Sequence, residues 1–203
     1  MSKVIIGAAV SADGFIADRN DGVGPLFDWY FNGPQELPAA PNQYRPKDGY
    51  RPAAASADFL RATWASVGAT IMGRRLFDLT DGWGGKPAVG DHVFVVTHRS
   101  PGDWPSRYPD APFHFVTGGL EEAVARAKQA AGDRDVSMPP GDLAGQAISA
   151  GLVDQIDMYV VPVLFGDGIR FFGEHKIPTT MLNNPRIVES DRVTHLSYDV
   201  RPQ

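Results

Sequence analysis

The 203-residue chain contains no cysteine. This absence excludes disulfide frameworks, thiolate zinc sites, iron–sulfur clusters and a cysteine nucleophile. It fits a reducing compartment, and we expect a cytoplasmic protein. Basic residues are also in the minority, because 19 Lys and Arg stand against 24 Asp and Glu, which gives a net charge of −5. We therefore expect no general electrostatic binding to nucleic acid or to an anionic membrane surface.

Uninterrupted apolar runs of about 20 residues, the length that spans a bilayer, are missing as well. The short apolar run at the amino terminus reaches Ser11 and Asp13 too soon for the hydrophobic region of a signal peptide. The chain also lacks a G-x-G-x-x-G after its first apolar run, a Walker A sequence, G-x-S-x-G and H-E-x-x-H. Its five histidines show no ligand spacing, so we expect no metal site.

What the sequence does contain is an alternation of strand-length apolar runs and helical segments, which favours an α/β sheet. Residues 3–10 are apolar on both faces, as is typical of a strand in the middle of a sheet. Helices are predicted at 58–66, 120–131 and 142–150, the second from a clear one-face periodicity. Further strands are predicted at 69–72, 92–97, 113–116, 135–138, 155–165, 186–189 and 193–200, the last two as an antiparallel pair.

The stretch at about 32–57 has no periodicity and is rich in proline and alanine. We interpret it as an irregular insertion in a single domain that covers residues 1–203. Long irregular loops in compact domains often cover binding sites. We therefore predict a lid that is mobile without ligand.

A basic cluster follows the predicted strand at 69–72. Gly73 stands at the strand end and is followed by Arg74 and Arg75. Glycine lets the backbone approach a ligand, a helix amino terminus attracts phosphate, and arginine recognises anions through two hydrogen bonds. Two solvated arginines that open a surface helix are the alternative interpretation.

Two other strand ends carry polar residues. Thr97, His98 and Arg99 follow the strand at 92–97. The carboxyl ends of parallel strands share one edge of the sheet, where ligands usually bind, so two basic strand ends indicate an anionic ligand. An ordinary loop is the alternative for this triplet. The turn at 139–142 could present helix N–H groups to a pyrophosphate, or serve only to start a helix.

Taken in order, these pieces resemble the dihydrofolate reductase superfamily, and most closely the stand-alone branch similar to the reductase domain of the bifunctional riboflavin-biosynthesis deaminase/reductase. They span nearly the whole chain except about 32–57. The matching segments are SADGFIA at 11–17, ATIMGRRLFD at 69–78, VFVVTHR at 93–99, GDLAGQAISAGLVDQIDMYVVPVLFGDGIRFF at 141–172 and VTHLSYDV at 193–200.

The resemblance implies a dihydrofolate reductase-like three-layer α/β/α fold with a mixed, mainly parallel central sheet and antiparallel C-terminal strands. It also implies NADPH as cofactor and a homodimer. Ala8 and Ala9 would lie by the nicotinamide, and Asp13 near the substrate. The residues implied at the phosphates and the adenosine end are Gly73, Arg74, Arg75, Thr97, His98 and Arg99. Those implied at the turn under the pyrophosphate are Pro140, Gly141, Asp142 and Leu143.

The sequence departs from the family pattern at two places. At Pro139-Pro140, one or both glycines of the family's usual Gly-Gly turn are prolines, which removes an N–H donor at Pro140. Gln155 follows Asp154 where the family commonly has a glutamate. The expected function is an NADPH-dependent reductase of a small pterin- or pyrimidine-like substrate, with Asp13 orienting the substrate or relaying a proton. The alternative is a non-catalytic nucleotide- or pterin-binding protein of the same fold.

Overall fold

An eight-stranded mixed sheet forms the middle layer of the computed structural model, which describes residues 2–201. In their order across the sheet, the strands are β5 (Phe113–Val116), β4 (His92–Val96), β3 (Val67–Gly73), β6 (Asp135–Met138), β1 (Val4–Ser11), β7 (Gln155–Val161), β10 (Val193–Asp199) and β9 (Arg186–Ser190). The first six are parallel, and β10 is antiparallel to both of its neighbours. Two short strands, β2 (Phe15–Ala17) and β8 (Ile169–Arg170), pair separately.

Helices cover both faces of this sheet. They are α1 (Ala54–Ser66), α2 (Arg74–Thr80), α3 (Gly82–Gly85), α4 (Trp104–Arg107), α5 (Leu120–Ala131) and α6 (Asp142–Ser149), with a 3-10 helix at Gly24–Tyr30. The apolar sides of α5 and α6 form one core with β1, β3 and β6. On the other face, α1 and the 3-10 helix pack against β1 and β7, and α2 and α4 pack against β3 and β4. No helix of residues 2–201 is long and apolar enough to cross a membrane.

The predicted α/β class with a mixed, mainly parallel sheet is confirmed. The strongest helix prediction matches α5, because its small and apolar residues repeat along one face. Two predicted boundaries were wrong by four residues, and others differ by one or two. Helix α1 starts at Ala54 rather than at 58, and β7 ends at Val161 rather than continuing to 165. The second error has a clear cause, since Pro162 has no N–H to donate to a ladder.

The irregular stretch ends where α1 begins, so it covers residues 32–53, and its two ends are fixed to the core. Gly33 N–H donates to the Arg51 carbonyl at 2.7 Å, and Leu37 N–H donates to the Tyr50 carbonyl at 2.9 Å. Leu37 is only 1% exposed and packs in the core beneath α1. The 32–53 segment therefore contributes core structure, contrary to the expectation of a wholly mobile lid.

Candidate active site

The carboxyl edge of the sheet opens between β6 and β1. Strand β6 pairs with β1 only up to the Ile6–Met138 pair, whereas β1 continues beside β7 as far as Ser11. After Met138 the chain leaves the sheet and enters α6. The last part of β1 therefore has no strand partner on its β6 side, within the described sheet.

Backbone groups of Ala9 face this open side of β1. The Lys3 carbonyl accepts a hydrogen bond from Val136 N–H of β6. The backbone groups of successive residues alternate between the two edges of a strand. The N–H and C=O of Gly7 and Ala9 therefore point to the same edge as those of Lys3, which is the β6 side. The Ala9 side chain is 2% exposed in the core on the α1 side. Ala9 can thus meet a ligand through its backbone, whereas Ala8 is half-buried and points to the opposite face.

The Arg74 side chain forms hydrogen bonds between the end of β3 and the end of β4. Its Nε donates to Asp78 Oδ1 at 2.6 Å, and its Nη1 donates to the Ser100 carbonyl at 2.9 Å. Its side chain is 19% exposed, and its guanidinium lies 5.6 Å from the centre of the Phe77 ring. Arg74 therefore connects the start of α2 to the loop after β4 and leaves few donors for a ligand.

Arg75 points across the edge to the loop after β2. Its Nε donates to Asp21 Oδ1 at 3.0 Å, and its Nη2 donates to Asp21 Oδ2 at 2.9 Å. The hydrogen bond that Arg75 donates to Asp21 raises the pKa of Arg75, and the negative charge of Asp142 contributes in the same direction. The Arg75 side chain is 68% exposed, and an exposed ion pair contributes only about 0–1 kcal/mol. Asp21 therefore holds Arg75 only weakly.

If the NADPH expected from the sequence binds at this edge, Asp21→Asn should tighten its binding a few-fold, because an anionic ligand would no longer compete with a carboxylate for Arg75. Fluorescence titration of NADPH against wild type and variant measures the change. Asp167→Asn is the matched control, since Asp167 forms an exposed ion pair with Arg19 instead. Weaker NADPH binding in the Asp21 variant would mean that Asp21 holds the site in shape rather than blocking it.

The loop after β4 is held by side-chain and backbone bonds. Thr97 is buried, and its hydroxyl accepts from Arg99 N–H at 3.0 Å. Arg99 Nη2 donates to Asp78 Oδ2 at 3.1 Å, so Asp78 holds Arg74 and Arg99 together. The His98 side chain is exposed. The structure thus brings Arg74, Arg75 and Arg99 to one edge, each already paired with a carboxylate.

The turn before α6 offers fewer donors than its sequence predicts. Gly141 has a φ of +119°, which suits glycine, and its N–H already donates to the Phe171 carbonyl at 2.8 Å. Asp142 Oδ1 accepts from Glu174 N–H at 2.7 Å. Pro140 has no N–H at all. The first-turn N–H groups of Asp142 and Leu143 remain as the donors that this helix start can present to a phosphate.

Asp13 fixes the loop at Phe165 and Gly166, which lies at the carboxyl edge of the sheet. Its carboxylate accepts from Ser11 Oγ at 2.6 Å, from Phe165 N–H at 3.1 Å and from Gly166 N–H at 2.7 Å. These hydrogen bonds, that from Ser11 above all, lower the pKa of Asp13. An ionised carboxylate that accepts three bonds is a poor proton donor at neutral pH. Of its two predicted roles, positioning fits these contacts and proton relay does not.

Sequence reasoning missed a set of polar residues under α1. Asp157 and Tyr159 of β7 lie opposite Ser197 and His195 of β10, and all four are buried. The available signal was the strand QIDMYVV, whose alternate positions 155, 157 and 159 are polar or hydroxyl-bearing. One cleft of about 280 Å³ reaches Asp157, and another of about 350 Å³ lies beside His92 and α5.

The family model described as the RibD C-terminal domain matches residues 2–196. A search of curated protein sequences finds no significant match. A crystal structure assigned to a riboflavin biosynthesis protein of Shewanella sp. PV-4 superposes with a TM-score of 0.66 at 20% identity, and the match covers 98% of this chain and 99% of that one.

Two further structures show the same fold. A pyrimidine reductase-like protein of Corynebacterium diphtheriae has a TM-score of 0.64 at 15% identity, over 100% of this chain and 93% of that one. Dihydrofolate reductase of Enterococcus faecalis, in complex with NADP(H) and RAB-propyl, has a TM-score of 0.56 at 16% identity, over 100% of this chain and 97% of that one. The chain belongs to the RibD C-terminal domain family and is an oxidoreductase with the dihydrofolate reductase-like fold.

Proposed function

We propose that the protein is an NADPH-dependent reductase that transfers a hydride to a small pyrimidine- or pterin-like substrate. The observation that carries this proposal is the open edge of β1 at Ala9, which lies on the same sheet edge as Arg75 and Arg99. Free backbone groups suit a carboxamide, and exposed guanidinium groups suit phosphates. The residues present therefore fit an extended, anionic dinucleotide.

Each residue of the edge has a role in this proposal. When bound, NADPH supplies the hydride. Arg75 and Arg99 hold the 2′-phosphate, since a charge-assisted hydrogen bond of about 1.5–3 kcal/mol outweighs an exposed ion pair. The first-turn N–H groups of Asp142 and Leu143 hold the pyrophosphate, as Gly73 does through close backbone approach. Asp13 fixes the loop at Phe165 and so shapes the substrate side of the edge.

We expect Arg75→Ala to remove most of the preference for NADPH over NADH, because each lost phosphate contact changes affinity by about 10- to 150-fold. Dissociation constants for both cofactors, measured by titration, test this. Arg61→Ala is the control, since Arg61 forms an exposed ion pair with Asp58 on α1. Equal affinities for NADPH and NADH in the wild type would contradict the 2′-phosphate site.

A second candidate function is a non-catalytic nucleotide- or pterin-binding protein of this fold. It is favoured by Pro140, which lacks a donor where a phosphate would lie, and by the engagement of Gly141 N–H with Phe171. Saturable NADPH binding without oxidation in the presence of pyrimidine and pterin substrates would support this function over a reductase. The homodimer stays a prediction, which sedimentation equilibrium can test.

A further inference from the structure

Two histidines face each other at the outer edge of the sheet. His92 begins β4, and His114 is the second residue of β5, the edge strand. His114 pairs directly with Phe94, which lies two residues along β4 from His92. Residues two apart on a strand point to the same face, so all three side chains lie on one face of the sheet. The register of β4 and β5 thus brings together two imidazoles that are 22 residues apart in the chain.

A cleft of about 350 Å³ opens beside this histidine pair. The two imidazoles, both half-buried, and the Phe94 ring line its sheet side, and Arg126, Gln129 and Ala130 of α5 line its helix side. The histidines stand at the amino ends of β4 and β5, whereas the arginines of the candidate active site follow the carboxyl ends of β3 and β4. The cleft is therefore outside the site proposed for NADPH.

The distance between the two rings is long for a hydrogen bond. His114 Nε2 lies 3.4 Å from His92 Nδ1, and the ring centres are 5.6 Å apart. Protein hydrogen bonds from N–H groups usually span about 2.7–3.2 Å between heavy atoms. Because the ring centres are much farther apart than the nitrogens, the two nitrogens lie on the facing sides of the rings. A hydrogen bond between the imidazoles therefore explains their arrangement poorly.

The same distance suits two ligands of one tetrahedral ion. Zn²⁺ binds imidazole nitrogens at about 2.0–2.1 Å in tetrahedral geometry, so two such nitrogens stand about 3.3–3.4 Å apart. Either ring nitrogen of a neutral imidazole can bind a metal. The χ2 torsion of histidine is broad, so a small rotation of the rings directs both lone pairs to one point. The pair thus has the spacing of a chelating site.

The cation that lines the cleft is already paired. Arg126 Nη1 donates to Glu122 Oε1 at 3.1 Å, one turn earlier on α5. The Arg126 guanidinium lies 5.8 Å from the centre of the Phe94 ring, and His114 stacks on the same ring at 4.8 Å between centres. Phe94 is 3% exposed and so fixes both side chains beside the cleft. A metal ion here therefore meets a guanidinium whose charge Glu122 offsets.

We propose that His92 Nδ1 and His114 Nε2 bind one divalent transition-metal ion such as Zn²⁺, which connects the edge strand β5 to β4. No third His, Asp or Glu side chain joins the pair among residues 2–201. Water from the cleft therefore completes the coordination, and the site binds more weakly than zinc sites with four protein ligands. Sequence spacing predicted no metal site, because it does not record which residues a sheet register brings together. The inference is independent of the proposed reductase function.

Calorimetric titration with Zn²⁺ at about pH 7.5, where an ordinary imidazole is mostly neutral, tests the site. We expect one saturable site in the wild type and at least tenfold weaker binding in His92→Gln and in His114→Gln, since each variant removes one of two ligands. His175→Gln is the matched control, because His175 is exposed and distant in sequence, and it should bind as the wild type does. Undetectable binding by the wild type, or wild-type affinity in either ligand variant, would overturn the proposal.

Chemical modification tests the same site without any substitution. Diethyl pyrocarbonate reacts with imidazole nitrogens, and mass spectrometry locates the modified residues. Saturating Zn²⁺ should slow the modification of His92 and His114 at least tenfold and leave that of the exposed His98 and His175 unchanged. Equal rates at His92 and His114 with and without Zn²⁺ would place the ion elsewhere and overturn the proposal.

The connection between the strands has its own readout. An ion that binds the folded chain more tightly than the unfolded one stabilises the fold. Saturating Zn²⁺ should therefore raise the melting temperature of the wild type and of His175→Gln equally, and leave that of His114→Gln unchanged. An equal rise in all three proteins would assign the stabilisation to another zinc site and overturn the proposed connection of β5 to β4.

Discussion

Leu37→Ala is expected to lower the free energy of unfolding by about 2–5 kcal/mol, the range for truncating a fully buried leucine. Leu37 is 1% exposed and packs in one core with Leu26, Trp29 and Leu60. The surrounding 3-10 helix and α1 are fixed to the sheet, so they can close the resulting cavity only in part. Equilibrium urea denaturation of the two proteins measures the difference.

Leu164→Ala provides the matched control, because Leu164 is 73% exposed and its truncation should change stability by less than about 0.5 kcal/mol. A similarly small change for Leu37→Ala would instead support the prediction from the sequence that this segment is a mobile lid. Between its fixed ends, residues 38–49 touch the body at few points, such as the Tyr44 N–H bond to the Pro87 carbonyl at 2.8 Å. Any motion of the segment is thus expected in this part alone.

The fold was predictable where local pattern and burial agree. Helix α5 shows its period in the sequence, and β1 shows the continuous apolar run of a strand buried on both faces. The segment at 32–53 was not predictable, because a single leucine in an aperiodic stretch gives no sign of burial. Leu37 becomes core only through its backbone pairing with Tyr50, which is a tertiary contact.

The candidate site was predictable in position but not in its contacts. The strand ends at Gly73 and Thr97 carry basic residues, and the parallel sheet brings them to one edge. That Asp21 and Asp78 would pair with these arginines could not be inferred, since both carboxylates lie in segments with ordinary loop and helix composition. The buried polar residues Asp157 and Ser197 under α1 were missed for a similar reason, because cross-strand partners are set by register rather than by sequence distance.

The stability of the protein is expected to depend on pH through His195, which is buried under α1. Its side chain is fully buried, stacks on Phe59 at 4.2 Å between ring centres, and shares a 2.9 Å hydrogen bond with Ser56 Oγ through Nε2. Burial, with a smaller effect of the nearby Arg186 charge, lowers the pKa of His195 from 6.5 to about 4. Tyr159 is the other titratable side chain packed on its ring. At neutral pH the folded protein therefore holds His195 uncharged.

Acidification from pH 7 to pH 5 should destabilise the fold by about 2 kcal/mol through His195 alone. The whole shift in the pKa of His195 corresponds to about 3 kcal/mol, which is lost only when the pH falls below 4. The folded pKa lies below the unfolded one, so between pH 6.5 and 4 the unfolded chain binds a proton that the folded chain does not. The stabilisation is complete above pH 6.5 and is lost as the pH falls toward 4. Urea denaturation at pH 7, 6 and 5 should show this slope in wild type and in the exposed-histidine control His98→Gln, but not in His195→Gln. An equal slope in all three proteins would assign the pH dependence to other groups, such as His114, whose pKa burial also lowers.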